Sequence, residues 1–328
     1  MMSTVTTAEP RIAPRKPRPH QAETPHATSG AFPASVQPEP AATGVADART
    51  WARQLRCQQW LKNLVVLAAP VAAGSLGNSV VLARAALAFV VFCLLSSAVY
   101  LCNDIVDLDE DRGHPTKRYR PIAAGLIAIP EALIAAGGCT IIAIITAALV
   151  DARLLLVAVS YAGLNLAYSS WARRVPILDI VAVAGCFVLR ALAGGAATGI
   201  GVSGWLILAV MLGALLISAG KRHAEIADRA ARRSRAVLRR YDLRVLRRIE
   251  IGSSLGAILA YAAWALGGGS AGVPALRALG LVAFGAVLFR YVKLAGQGRG
   301  GAPDRLLLED RQLQLSALLW GLLLLTGA

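Results

Sequence analysis

The stretch Val80-Val81-Leu82-Ala83-Arg84-Ala85-Ala86-Leu87-Ala88-Phe89-Val90-Val91-Phe92-Cys93-Leu94-Leu95-Ser96-Ser97-Ala98-Val99-Tyr100-Leu101-Cys102 holds a single charge, Arg84. It runs without a break into Asn103-Asp104-Ile105-Val106-Asp107-Leu108-Asp109-Glu110-Asp111. An apolar run of this length matches the roughly 20 residues that a helix needs to cross the hydrocarbon of a bilayer. Five of the 19 acidic residues of the chain then fall within eight positions at its end. Carboxylates at a membrane edge are costly to keep and mark functional sites. One segment therefore points both to the fold, an all-α integral membrane bundle, and to the place where its chemistry sits.

The rest of the chain repeats the apolar pattern. Of 328 residues, 56% are hydrophobic and 16% are charged, where soluble domains carry about 25% charged residues. The apolar runs predict about nine transmembrane helices, at 62–78, 80–102, 130–150, 153–171, 176–200, 204–220, 249–269, 274–292 and 312–327. The last is short enough to be re-entrant. Lysine and arginine orient the bundle: 1–63, 103–129, 173–174, 221–248 and 293–311 hold 29 of the 34 basic residues. Basic residues collect in cytoplasmic loops, so the alternation places the N-terminus inside. The polar chemistry then faces the cytoplasm from a multi-pass protein of the cell membrane. The same rule accounts for the net charge of +15, which in a soluble domain would suggest nucleic acid; no nucleic-acid partner is expected here.

Residues 1–50 hold eight of the 15 prolines among Ala, Thr, Ser and Glu. They are expected to form a disordered cytoplasmic tail, without the apolar core of a secretory leader. Residues 51–328 form the transmembrane catalytic domain. Cys57, Cys93, Cys102, Cys139 and Cys186 are odd in number and lack C-x-x-C spacing, and they read as packing residues.

On a continuous helix, about 100° per residue puts Asp104, Asp107 and Asp111 on one face with Asn103 at its rim. Asp104 and Asp111 would then stand about 10 Å apart along the axis. Hard oxygen ligands of this kind suit Mg²⁺, which binds through a few carboxylates and through substrate phosphates. The blander reading is a solvated acidic helix end, and that is the reading for Asp109 and Glu110. In His114-Pro115-Thr116-Lys117-Arg118-Tyr119-Arg120-Pro121, the prolines break helix and bring Lys117, Arg118 and Arg120 near the acids. Metal-binding carboxylates beside phosphate-binding cations make a diphosphate site, although these cations also obey the positive-inside pattern.

Further on, Asp179 opens an apolar helix, either as a charge suited to a helix N-terminus or as a second metal-facing carboxylate across the cavity. Arg190, about 16 Å deeper by helix rise, needs a carboxylate, backbone carbonyls or a ligand phosphate as partner. Gly194, Gly195, Gly199 and Gly201 permit close helix packing. Lys221, Arg222 and Glu225 close the sixth predicted helix at the interface, where a substrate-phosphate role is open to them. The stretch from Arg232 to Arg248 reads as an amphipathic helix lying against anionic lipid.

Asn103-Asp104-x-x-Asp107-x-x-x-Asp111 followed by Arg120-Pro121-Ile122-x-x-Gly125 resembles the first signature of the UbiA-type intramembrane prenyltransferases. Narrower strings are similar to the decaprenyl-phosphate phosphoribosyltransferase branch: W-L-K-N-L from Trp60, H-P-T-K-R-Y-R-P-I-A-A-G from His114, F-V-L-R-A-L-A-G-G from Phe187, G-K-R-H-A-E from Gly220 and D-R-Q-L-Q from Asp310. The resemblance runs from about Trp51 to the end of the chain. It implies a bundle of nine helices, with a cavity open to the cytosol and a lateral gap to the membrane lipids. It implies 5-phosphoribosyl diphosphate as donor, a polyprenyl phosphate such as decaprenyl phosphate as acceptor, and a product used for cell-wall arabinan. By position, Asp104, Asp107, Asp111 and Asp179 would be catalytic, and Asn103, Asp104, Asp107 and Asp111 would hold Mg²⁺. Lys62, Asn103, His114, Lys117, Arg118, Arg120, Tyr168, Arg173, Lys221, Arg222 and Glu225 would bind substrate, and Arg190 would hold the acceptor phosphate.

Two departures matter. Ala172-Arg173 stands where the family usually has Leu-Lys, which replaces a point charge with a planar fork. A second acidic D-x-x-x-D, common in standard prenyltransferases, is missing, because Val183 stands four places after Asp179. The lone acid fits the phosphoribosyl branch better. The alternatives are a Mg²⁺-dependent transferase moving an allylic prenyl group to an aromatic acceptor, a transporter using the acids as a cation site, and a non-catalytic binding member. A transporter would favour acids near the bilayer midplane in broken helices.

Overall fold

The computed structural model describes residues 46–227, 236–267 and 273–327; the expected tail up to residue 45 and the basic residues 228–235 lie outside these. The helices are α1 (Ala48–Gln54), α2 (Ala68–Ala72), α3 (Ser79–Val106), α4 (Leu108–Gly113), α5 (Ile129–Val150), α6 (Ala152–Ser170), α7 (Leu178–Thr198), α8 (Gly204–Ala227), α9 (Leu243–Leu266), α10 (Pro274–Gly296), α11 (Pro303–Glu309) and α12 (Arg311–Gly327). Among the described residues there is no β-strand. Seven helices are long and apolar enough to cross a membrane: α3, α5, α6, α7, α8, α9 and α10. A helix satisfies its own backbone within lipid, which is why such runs take this form.

Local signals set the helix ends. Asn78 caps α3 by accepting from the N–H of Val80 and Val81, Asp151 caps α6 through Arg153 N–H, and Asp242 caps α9 through Arg244 N–H. Pro130 sits in the first turn of α5. Gly199, at φ +73°, terminates α7 in the left-handed region.

The crossings are not equivalent. α3 and α7 bury 56% of their apolar stretch, against 17% for α5 and α6, so α3 and α7 run through the interior of the bundle. One apolar core joins Val66, Phe92, Leu95, Leu154, Tyr161 and Cys186. A second joins Leu216, Tyr261, Phe284, Leu288 and Leu313, with Tyr261 stacked on Phe284 at 4.7 Å between ring centroids.

The first and last expected crossings differ from the sequence reading. Residues 62–78 do not form one helix. Cys57–Leu67 is a 3₁₀ stretch, and α2 follows with only five residues. The stretch is bent by what it must reach. Asn63 is fully buried and donates to Ser96 Oγ and Cys93 Sγ, both at 3.3 Å. The Val66 carbonyl lies against Gly194, where a Cβ would stand 1.7 Å from that oxygen. Only glycine permits this approach. The expected crossing at 312–327 is α12, which has 17 residues and is shorter than the seven.

The described part of the basic segment also departs from expectation. Val237, Leu238 and Leu246 are buried, and Leu238 and Leu246 pack with Ile180 and Ile226. Burial of these apolar side chains packs part of the segment onto the bundle, while Leu243 and Val245 stay exposed.

Candidate functional site

The acidic run does not continue as one helix. α3 ends at Val106, and Asp107, at φ −92° and ψ 13°, links it to the six-residue α4. Helical bonds continue across this link, from Asp107 N–H to the Asn103 carbonyl at 2.9 Å and from Asp111 N–H to the Asp107 carbonyl at 2.8 Å. Arg120 Nη1 donates to both Asp104 and Asp111: 3.0 Å to Asp104 Oδ1 and 2.5 Å to Asp111 Oδ2.

Asp104 and Asp111 share Arg120, and each of the three carboxylates also has a cation of its own. Asp104, nearly fully buried, also accepts from Arg56 Nη2 at 2.6 Å and from Gln54 Nε2 at 2.9 Å. Asp107 meets Arg173 as a fork, Nη1 and Nη2 each at 3.0 Å, a geometry that guanidinium and carboxylate share. The bond to Asp107 raises the Arg173 pKa further, so its charge is constant. Lys117 Nζ stands 3.6 Å from Asp111 Oδ1 and 3.4 Å from Glu110. Asp111 Oδ1 is buried without a hydrogen-bond donor.

The other loop residues have different tasks. The His114 Nδ1 accepts from the N–H of Thr116 and Lys117, at 3.2 and 3.3 Å, and so shapes the loop. Arg118 turns away from the acids, bonding the Tyr119 hydroxyl at 2.7 Å. Lys62 Nζ bonds Gln59 Oε1, and Asn103 is half-buried beside Asp104.

Asp179 is fully buried at the start of α7. Arg222 Nε donates to its Oδ2 at 2.7 Å, and the Tyr241 hydroxyl donates to its Oδ1. Arg222 Nη1 reaches Glu225 at 2.5 Å and Nη2 reaches the Tyr168 hydroxyl at 3.5 Å. Ile177, just before, holds φ +67°, and its N–H donates to Tyr241 Oη at 2.9 Å. Burial, and next Asp179, raise the Tyr241 pKa. Lys221 is exposed beside Arg222.

Arg190 is buried in α7. Its Nε donates to Asn63 Oδ1 at 2.7 Å, Nη1 to the Cys186 carbonyl at 3.0 Å and Nη2 to Tyr161 Oη at 2.9 Å. These bonds join the 3₁₀ stretch, α6 and α7. Glu250, fully buried, bonds His223 at 2.9 Å and Arg247 at 3.0 Å. Arg290 forks onto Asp310 at 3.0 and 2.6 Å.

Gln54, Arg56, Asn63 and Tyr241 were not singled out in the sequence. Asn63 stands in an apolar run, which is the signal it carried, whereas Gln54, Arg56 and Tyr241 lie in polar stretches that carried none. A cavity of about 330 Å³, lined by Ala69, Trp205, Trp264 and Gly267 among others, lies at the opposite helix ends and contains none of these charges.

Among the described residues no three His, Cys, Asp or Glu side chains converge on a common point. The donor chemistry nevertheless fits a hard dication: Asn103, Asp104, Asp107 and Asp111 offer oxygens only, and Asp111 Oδ1 is buried without a donor.

The model of the UbiA prenyltransferase family matches residues 64–322. The decaprenyl-phosphate phosphoribosyltransferase of Corynebacterium glutamicum is 38% identical over 276 residues, 82% of this chain and 83% of that one. That of Mycobacterium tuberculosis is 38% identical over 277 residues, 82% and 90% of the two chains. In fold the chain is similar to a UbiA homolog from Archaeoglobus fulgidus solved bound to GPP and Mg²⁺, with a TM-score of 0.65 at 18% identity, covering 84% of this chain and 96% of that one.

Proposed function

The chain belongs to the UbiA prenyltransferase family, and on that premise we propose that it transfers phosphoribose from 5-phosphoribosyl diphosphate to a polyprenyl phosphate of decaprenyl type, releasing diphosphate. The similarity to phosphoribosyltransferases over most of the chain supports this choice of donor and acceptor. The observation that carries it in the geometry is the Arg222–Asp179 pair. Both oxygens of Asp179 are occupied, by Arg222 and Tyr241, and Arg222 also holds Glu225. The second half is therefore closed on itself, and the carboxylates that would hold a metal lie in the first half with Lys117, Arg120 and Arg173 beside them. Transfer of an allylic group to an aromatic ring is the less favoured reading, since a second acidic motif is missing.

Asn103, Asp104, Asp107 and Asp111 would hold Mg²⁺, which when bound neutralises charge on a departing diphosphate. Lys117, Arg120 and Arg173, already at the carboxylates, take phosphate oxygens, and Lys62 and Lys221 lie on the flanking segments. Asp179 acts through Arg222, fixing it against Tyr168 and Glu225. The bond between ribose C1 and the diphosphate oxygen breaks, with its electron pair leaving on diphosphate. An oxygen of the acceptor phosphate forms the new bond to C1. That oxygen is already anionic, so no protein nucleophile or base is needed. The protein contributes positioning and electrostatics.

In the membrane, the segment 57–72 and α12 count as the first and last of nine crossings. The N-terminus is inside, and the site faces the cytoplasm with its basic loops. The test is a transfer assay on purified protein in detergent with Mg²⁺, labelled 5-phosphoribosyl diphosphate and decaprenyl phosphate. The expected result is label in the lipid phase that EDTA abolishes. Absence of lipid label from folded protein that turns over an allylic diphosphate and an aromatic acceptor would overturn the reading.

A further inference from the structure

We propose that Arg56 is a donor-phosphate ligand stored on Asp104: it is the counter-ion of that carboxylate in this state and moves to a diphosphate oxygen when a dication takes Asp104. The proposal rests on the reading of the first acidic group as a metal–diphosphate site.

Among the described non-glycine residues only Arg56 and Ile177 have positive φ. Arg56 stands at φ 54° and ψ 47°, which a residue with a Cβ disfavours. Its backbone is fixed there by bonds from its N–H to the Arg53 carbonyl at 3.2 Å and from Gln59 N–H to its own carbonyl at 2.7 Å. The resulting turn between α1 and the 3₁₀ stretch sends the guanidinium to α3, 2.6 Å from Asp104 Oδ1 and 4.4 Å above the Tyr100 ring. Strain of this kind persists where the surroundings impose it, and it clusters at ligand sites.

Asp104 is oversubscribed. One carboxylate accepts from Gln54, Arg56 and Arg120. Gln54 is buried and also accepts from Ile122 N–H, which anchors the Arg120 loop. Arg120 bridges Asp104 and Asp111, and Arg173 is forked onto Asp107. Arg56 bonds one carboxylate oxygen and lies over Tyr100, so of the three guanidinium groups it has the fewest bonds to carboxylate to give up. Its side chain is 27% exposed while that of Asp104 is 4% exposed, so it borders solvent as the acid does not.

Charge bookkeeping points the same way. Asp104, Asp107, Glu110 and Asp111 face Arg56, Lys117, Arg120 and Arg173. This grouping is balanced as it stands. A dication on the carboxylates leaves the cations in surplus, and a diphosphate restores the balance. A guanidinium suits that exchange, since the same planar fork pairs with carboxylate or phosphate.

The test uses the full-length protein with Arg56→Gly and Arg56→Lys. Glycine suits the positive φ and removes the guanidinium, so the thermal midpoint is expected not to fall. Mn²⁺ binding is read by electron paramagnetic resonance without donor, and donor KM is read in the transfer assay. For Arg56→Gly the proposal expects Mn²⁺ affinity unchanged or tighter, because a competing cation is gone. Donor KM should rise on the order of tenfold, with partial recovery in Arg56→Lys. Mn²⁺ and donor affinities falling together would make Arg56 a scaffold of the metal site and overturn the proposal, as would a donor KM within about twofold of the parent. The Mn²⁺ arm needs no donor. If the parent protein rejects 5-phosphoribosyl diphosphate, the functional reading fails by itself, and the KM arm is read on the diphosphate donor it does accept.

Discussion

Asp104, Asp107 and Asp111 on one side of the site, and Asp179 on the other, all meet guanidinium groups, but the cations on the two sides are not equally exposed. The side chains of Arg56, Lys117, Arg120 and Arg173 are 27%, 29%, 30% and 26% exposed, whereas Arg222 is 6% exposed and its partner Asp179 is 0%. Exposed ion pairs contribute about 0–1 kcal/mol. Breaking a buried pair by removing one partner costs about 3–5 kcal/mol, because the other charge is left uncompensated. The same pairing thus means different things in the two halves. In the proposed mechanism the half-exposed cations of the first half turn from the buried Asp104 and Asp111 to a phosphate when a metal takes the carboxylates, while the second half is a fixed brace that holds α7, α8 and Tyr241 together.

The largest expected effect lies in the first half and on chemistry. Asp107→Ala should lower turnover by about a thousandfold or more, the scale of losing several kcal/mol of metal stabilisation, with the thermal midpoint near that of the parent. Turnover at the parent rate would remove the first half from the mechanism. The next effect lies in the second half and on stability. Arg222→Ala should cost about 3–5 kcal/mol, seen as a lowered unfolding midpoint in detergent. Arg173→Ala, whose partner Asp107 is half-buried where Asp179 is fully buried, should cost less than Arg222→Ala and appear as a raised donor KM instead. The opposite order would erase the distinction drawn between the halves.

Tyr241→Phe sharpens the comparison on a smaller scale. It leaves an Asp179 oxygen and the Ile177 N–H without a partner, for about 1–3 kcal/mol of stability. Because burial and Asp179 raise the Tyr241 pKa above its ordinary 10.0, this contribution should be present in full below pH 10 and fade only above it. Unfolding midpoints of the parent and Tyr241→Phe, compared between pH 7 and pH 10, should therefore keep a constant gap. The smallest effect lies outside both halves. The bond from Arg290 holds the Asp310 carboxyl down at about 2, so stability from this pair should persist above the ordinary carboxylate range and be lost as pH falls towards 2. Asp310→Asn should abolish that acid limb of the midpoint profile.

Much of this was legible because it is local. The apolar runs of α3, α5–α10 and the acids at the end of α3 lie in consecutive residues, and Lys117 and Arg120 follow the acids within one loop. The break at Asp107 was not legible, since no glycine or proline marks it and the residue that makes the link is itself one of the acids. The first apolar run hides its 3₁₀ path for a similar reason: Val66 and Asn63 are shaped by Gly194 and Arg190, which lie more than a hundred residues away. Arg190 visibly needed a partner. That the partners are an amide oxygen, a carbonyl and a phenol follows only from the packing of α6 and α7. Gln54, Arg56 and Tyr241 reach their carboxylates across separations of 50, 48 and 62 residues, which no spacing rule spans.

The most direct test is a structure of the protein determined with Mg²⁺ and 5-phosphoribosyl diphosphate. The account predicts the metal among Asn103, Asp104, Asp107 and Asp111, with Arg56, Lys117, Arg120 or Arg173 turned from carboxylate to diphosphate, and the Arg222–Asp179–Tyr241 grouping unchanged. A metal seated on Asp179 with Arg222 displaced, and the pairs at Asp104, Asp107 and Asp111 intact, would contradict it.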